Sequence, residues 1–140
     1  MAVKKIKAQT NKQPKPDWLK SIGPVENLES YVKAETSTNH LSRVLDNLLS
    51  NALKFSKPGS LVQIGHRAME NNYQIFVKDQ GPGFTEDDKV HMYQMFRKLS
   101  AGPTAGEHTS GIGLSIVKKF TDLLYGEIQL ESTVGEGSTF

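Results

Sequence analysis

The sequence lacks cysteine altogether, which excludes disulfide bonds and cysteine-based zinc sites. It also lacks any apolar run near the roughly 20 residues that cross a bilayer, and its first residues lack the apolar stretch of a signal peptide. The net charge is only +2 and the lysines are dispersed, so no nucleic-acid partner is expected. With 36% hydrophobic and 23% charged residues, the chain is predicted to be one soluble globular domain.

The first 39 residues are predicted to contain an edge strand, turns and a short helix. Residues 3–9 alternate weakly between polar and apolar side chains, which is typical of an edge strand. Residues 11–39 contain three prolines, so turns are expected there. Trp18, Leu19 and Ile22 are predicted to form a short helix against the body.

A helix and a β-hairpin are predicted next. The helix has Thr38 or Asn39 as its N-cap and stops at the Pro-Gly pair 58–59. Its buried stripe is Leu41, Val44, Leu45, Leu48, Leu49 and Ala52. Residues 61–68 and 73–79 both alternate around a polar turn, which predicts the hairpin.

The second half of the chain continues this mixture of helices and strands. A short helix near 86–96, a long mobile loop at 97–110 and a helix at 113–125 are predicted in turn. Residues 128–130 alternate as a strand, and 135–140 turn into a final strand. The fold class is therefore predicted as α+β, a two-layer α/β sandwich with helices on one face of a mixed, mostly antiparallel sheet.

Three polar motifs lie where these elements meet. Asn47, Asn51 and Lys54 share a helix stripe that suits a magnesium–triphosphate, although a solvated helix edge has the same pattern. Residues 79–84 (Asp-Gln-Gly-Pro-Gly-Phe) place a carboxylate acceptor before two glycines that allow close approach, or form a tight turn. Residues 110–113 (Ser-Gly-Ile-Gly) open a helix whose free amides can meet phosphate, or serve as a hinge and cap.

In their order along the chain, these motifs closely resemble the catalytic ATP-binding domain of two-component sensor histidine kinases. The matching strings are NLLSNALKFS (47–56), DQGPGF (79–84), MYQMFRK (92–98), GIGLSIV (111–117) and GEGSTF (135–140). They are similar to that family's N box, first glycine box, F box, and second and third glycine boxes. The resemblance covers about residues 31–140 and implies the Bergerat ATP-binding fold of the GHKL superfamily, shared with DNA gyrase B, heat-shock chaperone and mismatch-repair ATPases.

The resemblance implies roles for individual residues. Asn51 would hold magnesium with help from Asn47, and Lys54 would meet phosphate. Asp79 would bind the adenine amine, with Thr139 supporting it through water. The implied cofactors are ATP and Mg²⁺, and the implied catalytic residues are Asn47, Lys54 and Lys98. The implied nucleotide-binding residues are Asn47, Asn51, Lys54, Phe55, Asp79, Gly81, Gly83, Phe84, Arg97, Lys98, Gly111, Ile112, Gly113, Leu114 and Thr139.

The glycine boxes and the loop between them also receive roles from the resemblance. The glycines of 79–84 would make room for the nucleotide, and residues 111–114 would cradle its phosphates. Residues 97–110 would form the ATP lid. Lys98 stands where an arginine often contacts the terminal phosphate, and because lysine lacks the bidentate fork, transfer would depend partly on Arg97.

The residue at position 47 distinguishes a kinase from the related ATPases. Those ATPases tend to have a water-activating glutamate at this position, whereas this chain has Asn47. A carboxamide is no general base, so the resemblance favours slow or absent hydrolysis and transfer of the γ-phosphate to a protein acceptor. No His-Glu-x-x-x-Pro acceptor motif occurs, and the four histidines (40, 66, 91 and 108) are expected to be surface or packing residues. The implied partners are a histidine phosphoacceptor/dimerisation domain of the same kinase and a downstream response regulator.

The expected organisation is a single domain over 1–140. Residues 1–30 would be the N-terminal strand plus an atypical insertion, and 31–140 a core whose C-terminal strand is truncated. The isolated domain is expected to be a cytoplasmic monomer, with any membrane anchor elsewhere in the parent protein. Two alternatives remain open: a degenerate nucleotide-binding regulatory module, favoured by Lys98 and by segment 14–30, and a serine-kinase anti-sigma-type relative.

Overall fold

The computed structural model describes residues 6–9, 28–70, 72–104, 106 and 109–140, with side chains from residue 37 onward. Within these ranges the elements, in chain order, are β1 (Ile6–Gln9), α1 (Leu28–Phe55), β2 (Val62–Ala68), β3 (Tyr73–Asp79), α2 (Glu86–His91), α3 (Gly113–Leu123), β4 (Glu131–Thr133) and β5 (Gly137–Thr139). None of the described helices is apolar over enough of its length to cross a bilayer.

The strands of the described residues form one sheet in the order β1-β2-β3-β5-β4. β1 lies at the edge and runs parallel to β2, whereas the other three pairings are antiparallel. This confirms the mixed, mostly antiparallel sheet, and the hairpin prediction for 73–79 matches β3 in full. The crossover that inserts β5 between β3 and β4 brings the third glycine box beside Asp79, because Asp79 pairs with Ser138.

The hydrophobic core lies between the helices and one face of the sheet. α1 packs against α3 and against β3. The buried core side chains are Val44, Leu48, Ala52, Val62, Val77, Met92, Leu114 and Val117. Three of these belong to the predicted stripe of the first helix, so the helical spacing identified the face that α1 buries.

The predicted N-cap of the first helix was wrong. Thr38 and Asn39 lie inside α1, which extends back to Leu28. Residues 28–38 contain neither glycine nor proline and include leucine, glutamate, lysine and alanine, which support a helix. Threonine and asparagine disfavour a helix by less than about 1 kcal/mol each, so their capping preference does not end one here.

Several element ends also differ from the predictions. α2 ends at His91 rather than near Phe96, which has a left-handed φ of 61° that no α-helix accommodates. The last strand pair begins at Glu131, so residues 128–130 precede β4, and Ile128 and Leu130 pack onto the core instead. The predicted short helix of Trp18, Leu19 and Ile22 lies outside the described residues.

Ser56, directly after α1, is fully buried, and its hydroxyl has no hydrogen-bond partner among the described residues. A buried unsatisfied hydroxyl costs about 1–3 kcal/mol, so Ser56→Ala is expected to leave the free energy of unfolding unchanged or to raise it by about 1 kcal/mol. Urea denaturation measures this. Ser115→Ala is the matched control, because Ser115 Oγ donates to the Ile112 carbonyl at 2.7 Å and its loss is expected to destabilise. An equal or larger loss for Ser56→Ala would contradict the prediction.

Candidate functional site

A cavity of about 580 Å³ lies between α1, α3, the end of β3 and the loop that precedes α3. It brings together residues from every motif of the sequence. The predicted site residues that line it are Asn47, Asn51, Lys54, Phe55, Asp79, Gly83, Phe84, Arg97, Lys98, Gly111, Ile112, Gly113 and Leu114. The polar residues of the helix stripe and of both glycine boxes therefore share one enclosure.

Two predicted site residues do not line the cavity. Thr139, which pairs with Lys78, lies between Ser138 and Phe140, and both of these line the cavity. Because neighbouring residues of a strand face opposite sides of the sheet, the Thr139 side chain points away from the cavity. Gly81 lies behind Asp79, and its amide donates to Asp79 Oδ1 at 2.8 Å. In the structure this amide holds the carboxylate, and the room that Gly81 would make for a nucleotide stays a prediction.

Asp79 is the only acidic residue at the end of β3, and its carboxylate lines the cavity. Burial raises the pKa of Asp79 above its ordinary value of 3.8, and this outweighs the opposing hydrogen bonds from the amides of Gly81 and Ser138. The group is therefore held in a fixed direction by two backbone donors and is partly shielded from water. Such a carboxylate is suited to accept a hydrogen from an amino group of a ligand.

The turn between β4 and β5 is interlocked with the first glycine box. The Gly135 amide donates to the Pro82 carbonyl at 2.8 Å. A Cβ on Gly83 would lie 2.2 Å from the Thr133 carbonyl oxygen, and one on Gly137 would lie 2.1 Å from that of Asp79. Since backbone atoms meet backbone atoms here, only glycine fits at these two positions.

The carboxamides of α1 face the beginning of α3. Asn47 Nδ2 donates to the Arg43 carbonyl at 2.7 Å, which orients the side chain. Asn47 Oδ1 lies 3.3 Å, and Asn51 Oδ1 3.7 Å, from the position that a Cβ on Gly113 would occupy. Two amide oxygens thus converge on the cavity beside the helix start, and amide oxygens are ligands that hard cations accept.

The donor set fits a magnesium ion only together with a ligand's own oxygens. The described residues contain no group of three or more His, Asp or Glu side chains that could hold a metal. Mg²⁺ typically uses one or two protein ligands and completes its shell with phosphate oxygens and water. Asn47 and Asn51 fit that pattern.

The start of α3 is open toward the cavity. Its N-cap residue is Ile112, with no side-chain hydrogen bond capping the helix among the described residues and no acidic residue in the first turn. The first amides of a helix are free donors, and with the helix dipole they favour an anion. Gly111 and Gly113, which both line the cavity, leave this end accessible.

The loop between α2 and α3 is tied down at three places. The Phe96 amide donates to the Gly111 carbonyl at 2.9 Å and closes the base of the loop. Thr104 donates through both its amide and its hydroxyl to the Lys54 carbonyl, each at 2.9 Å, at the end of α1. Ser100 donates to Asp88. The mobility expected for residues 97–110 stays a prediction, and residues 105, 107 and 108 lie outside the described part.

Asp88 joins the start of α2 to this loop. Its carboxylate accepts the Thr85 amide at 3.1 Å in a capping box and the Ser100 amide at 2.9 Å. Burial would raise the pKa of Asp88, but the hydrogen bonds from Ser100 and Thr85 together outweigh it and lower the pKa to about 2. Asp88 is thus a fixed negative charge at the edge of the cavity.

The Asp88 carboxylate is expected to make stability dependent on pH. Because its folded pKa of about 2 lies below the ordinary 3.8, its contribution of about 2 kcal/mol is present above pH 3.8 and lost as the pH falls toward 2. Urea denaturation between about pH 5 and pH 2 measures this loss. Asp88→Asn should flatten the acid limb, while Asp87→Asn, at an exposed neighbour, should keep it. Parallel curves for wild type and Asp88→Asn would contradict the assignment.

Three cationic side chains of the described residues line the cavity. Lys54 is half-buried, whereas Arg97 and Lys98 are exposed where the loop begins. One Arg97 nitrogen lies 3.6 Å from Asp87 Oδ2 in an exposed pair, which is weak in water. All three are therefore positioned to meet an anion in the cavity.

None of the described histidines lines the cavity. His40 packs on Phe120 with ring centroids 5.0 Å apart, and His66 is exposed on β2. His91 Nδ1 lies 2.9 Å from the Asp87 carbonyl oxygen. This agrees with the expectation of surface or packing histidines, while His108 lies outside the described residues.

Sequence reasoning missed several residues that line the cavity. Ser50 lies three positions after Asn47 on the same helix, a spacing that would have identified it. Asp88 and Ser138 also line it. Ser138 stands in the third glycine box, next to the predicted Thr139, so that motif could have identified it, whereas Asp88 lies outside the five matching strings.

Comparison with known families matches residues 36–140 to the family described as histidine kinase-, DNA gyrase B- and HSP90-like ATPases. The chain is 40% identical over 101 residues to the circadian input-output histidine kinase CikA of Synechococcus elongatus, covering 71% of the chain and 13% of that protein. It is 32% identical over 123 residues to the sensor histidine kinase TmoS of Ectopseudomonas mendocina, covering 86% of the chain and 12% of that protein.

Solved structures are similar as well. The mycobacterial sensor histidine kinase MprB superposes with a TM-score of 0.64 at 24% identity, over 72% of this chain and 68% of that one, which shows a shared fold. Full-length ShkA, solved in complex with AMPPNP, superposes with a TM-score of 0.60 at 26% identity, over 72% of this chain and 20% of that one. The chain spans only 12–13% of the length of the two curated relatives described above.

Proposed function

This chain belongs to the family of histidine kinase-, DNA gyrase B- and HSP90-like ATPases, and we propose that it binds Mg-ATP and donates the γ-phosphate to a histidine on a separate dimerisation domain of a sensor kinase. The observation that carries the proposal is one cavity in which a half-buried carboxylate, two carboxamides and an uncapped helix start meet. These are acceptors for an amine, ligands for a cation and donors for phosphate, which together match one magnesium-bound adenine nucleotide.

Each group has a place in binding. Asp79 would accept the exocyclic amine of adenine, with its direction fixed by the Gly81 and Ser138 amides. The α3 amides would bind phosphate oxygens, and Lys54 would add a positive charge beside them. Asn51 and Asn47 would hold magnesium, which when bound neutralises phosphate charge.

The chemistry of the helix stripe favours transfer over hydrolysis. Asn47 cannot take a proton from water, and none of the described histidines faces the cavity. In transfer, the acceptor imidazole nitrogen forms a bond to the γ-phosphorus while the bond to the bridging oxygen breaks and ADP leaves. The protein would contribute position and positive charge through Lys54, Lys98 and Arg97. The acceptor domain and a downstream response regulator would complete the pathway.

The test is phosphotransfer in trans. The chain is mixed with Mg-ATP labelled at the γ-phosphate and with a cognate histidine-bearing dimerisation domain, and acid-labile label on that domain is measured. An acceptor with its histidine changed to glutamine is the control and should stay unlabelled. ATP binding without any phosphohistidine would contradict the kinase proposal and favour a nucleotide-binding regulatory module.

A further inference from the structure

Ser132, in the middle of β4, makes an unusually complete set of hydrogen bonds for an exposed edge strand. Its Oγ accepts the Phe84 amide at 2.9 Å, donates to the Gly137 carbonyl at 3.0 Å and lies 2.9 Å from Ser138 Oγ. A serine hydroxyl has one proton and two acceptor positions. Since the proton goes to Gly137, Ser138 must be the donor in the third bond, and every position of the hydroxyl is used.

The three partners of this hydroxyl belong to the two segments that surround Asp79. Phe84 ends the loop of the first glycine box, and its side chain lines the cavity. Ser138 belongs to β5, and its amide donates to the Asp79 carboxylate. One side chain on β4 therefore joins the loop after Asp79 to the strand beside it.

Backbone ladders already hold β3 and β5 together without Ser132. Val77 and Phe140 exchange two backbone hydrogen bonds, at 2.9 and 3.0 Å, next to the Asp79–Ser138 pair. Loss of the Ser132 hydroxyl should consequently leave the sheet intact and release the Phe84 end of the loop. The Ser132 side chain is therefore expected to affect the position of the loop rather than the stability of the sheet.

We infer that Ser132 is a positioning residue for base recognition, which fixes the loop of residues 79–84 against β5 and so sets the direction in which Asp79 accepts the amine of the base. The inference rests on the proposed binding of an adenine nucleotide. A loosened loop would let Asp79 and the Gly81 amide reorient, so a 6-oxo purine, which presents a carbonyl in place of the amine, would be rejected less strongly. Ser132 thus acts on selectivity through other groups, without touching the base.

The test compares Mg-ATP with Mg-inosine triphosphate by calorimetric titration of the 140-residue chain. Wild type is expected to prefer ATP, and Ser132→Ala to lose about tenfold of that preference. Thr133 is an exposed residue on the same strand, so Thr133→Ala is the control and should keep the wild-type ratio of the two affinities. Hydrogen exchange of the Phe84 amide without nucleotide should be faster in Ser132→Ala and unchanged in the control.

The outcomes separate this inference from the proposed function. If wild type binds ATP with preference and Ser132→Ala keeps the same ratio, the positioning role is wrong while the proposed function stands. A parallel loss of affinity for both nucleotides would also overturn it, because a merely structural role predicts that result. If wild type shows no ATP binding, the proposed function itself fails. Should Ser132→Ala not fold, Ser132→Cys, which keeps the shape of the side chain but is only a weak donor and acceptor, carries the same expectation.

Discussion

Asp79→Asn is expected to weaken ATP binding roughly 10- to 150-fold, because hydrogen bonds to charged groups contribute about 1.5–3 kcal/mol. The amides of Gly81 and Ser138 both donate to the carboxylate, and its remaining acceptor positions would take the amine of adenine. In the asparagine variant one of these acceptors becomes an NH₂ group, so a donor faces a donor. Calorimetric titration of Mg-ATP measures the change, and a dissociation constant within twofold of wild type would remove Asp79 from the site.

The matched control for this substitution is Asp122→Asn on α3. Asp122 is exposed and pairs with Lys118 at 2.5 Å, remote from the cavity lining. The same chemical change there should leave ATP affinity as it is. A similar loss in both variants would indicate a general effect of charge on the nucleotide rather than recognition of the base.

The same carboxylate should make ATP affinity dependent on pH. Burial raises the pKa of Asp79, so the group takes up its proton at a higher pH than an ordinary carboxyl. The ionised form is the better acceptor for the amine, and affinity should therefore fall as the pH drops through that raised pKa. Asp79→Asn should lack this fall.

Gly137→Ala is expected to lower the free energy of unfolding by roughly 2–6 kcal/mol and to abolish ATP binding. Overpacking against fixed atoms costs about 1–3 kcal/mol, and a residue forced into a glycine-only backbone region costs about 1–3 kcal/mol more. Gly137 has a φ of 127°, and its added Cβ would lie 2.1 Å from the Asp79 carbonyl oxygen. The strand that carries Ser138 would have to move away from the carboxylate.

Two other glycines separate these contributions. Gly135 has a φ of 85° with open space around it, so alanine there should cost about 1–2 kcal/mol from backbone strain alone. Gly102 also has open space and no positive φ, so alanine there should be neutral or slightly stabilising. Urea denaturation of the three variants gives the order. If Gly137→Ala is no worse than Gly135→Ala, the backbone contact is not tight.

Regular periodicity identified the elements whose side chains face one core. The alternation of 73–79 matched β3, and the stripe of α1 supplied Val44, Leu48 and Ala52 to the core. The capping preferences of single residues predicted the start of α1 incorrectly. Thr38 and Asn39 favour an N-cap, but the helix continues through both of them. Element ends depend on small free energies that neighbouring residues and packing override.

The sequence predicted the residues that line the cavity where a local motif contains them. Asn47, Asn51 and Asp79 were predicted from their positions along one element, and all three line the cavity, while their roles toward a ligand stay predictions. Thr139 shows the limit, because a shift of one residue along a strand exchanges the cavity face for the opposite one. The Ser132–Phe84 bond spans 48 positions, and no local spacing encodes such a pair.

The placement of β5 between β3 and β4 has a consequence for the order of folding. The Asp79 carboxylate is completed by Ser138, a partner from the far side of α2 and α3 in the chain. Contacts of such long sequence separation form late, since loop closure must precede them. The helices and the β2–β3 hairpin are expected to assemble first and the Asp79 end of the cavity last. A nucleotide would then bind only the finished domain, so ATP should slow unfolding and leave the folding rate almost unchanged.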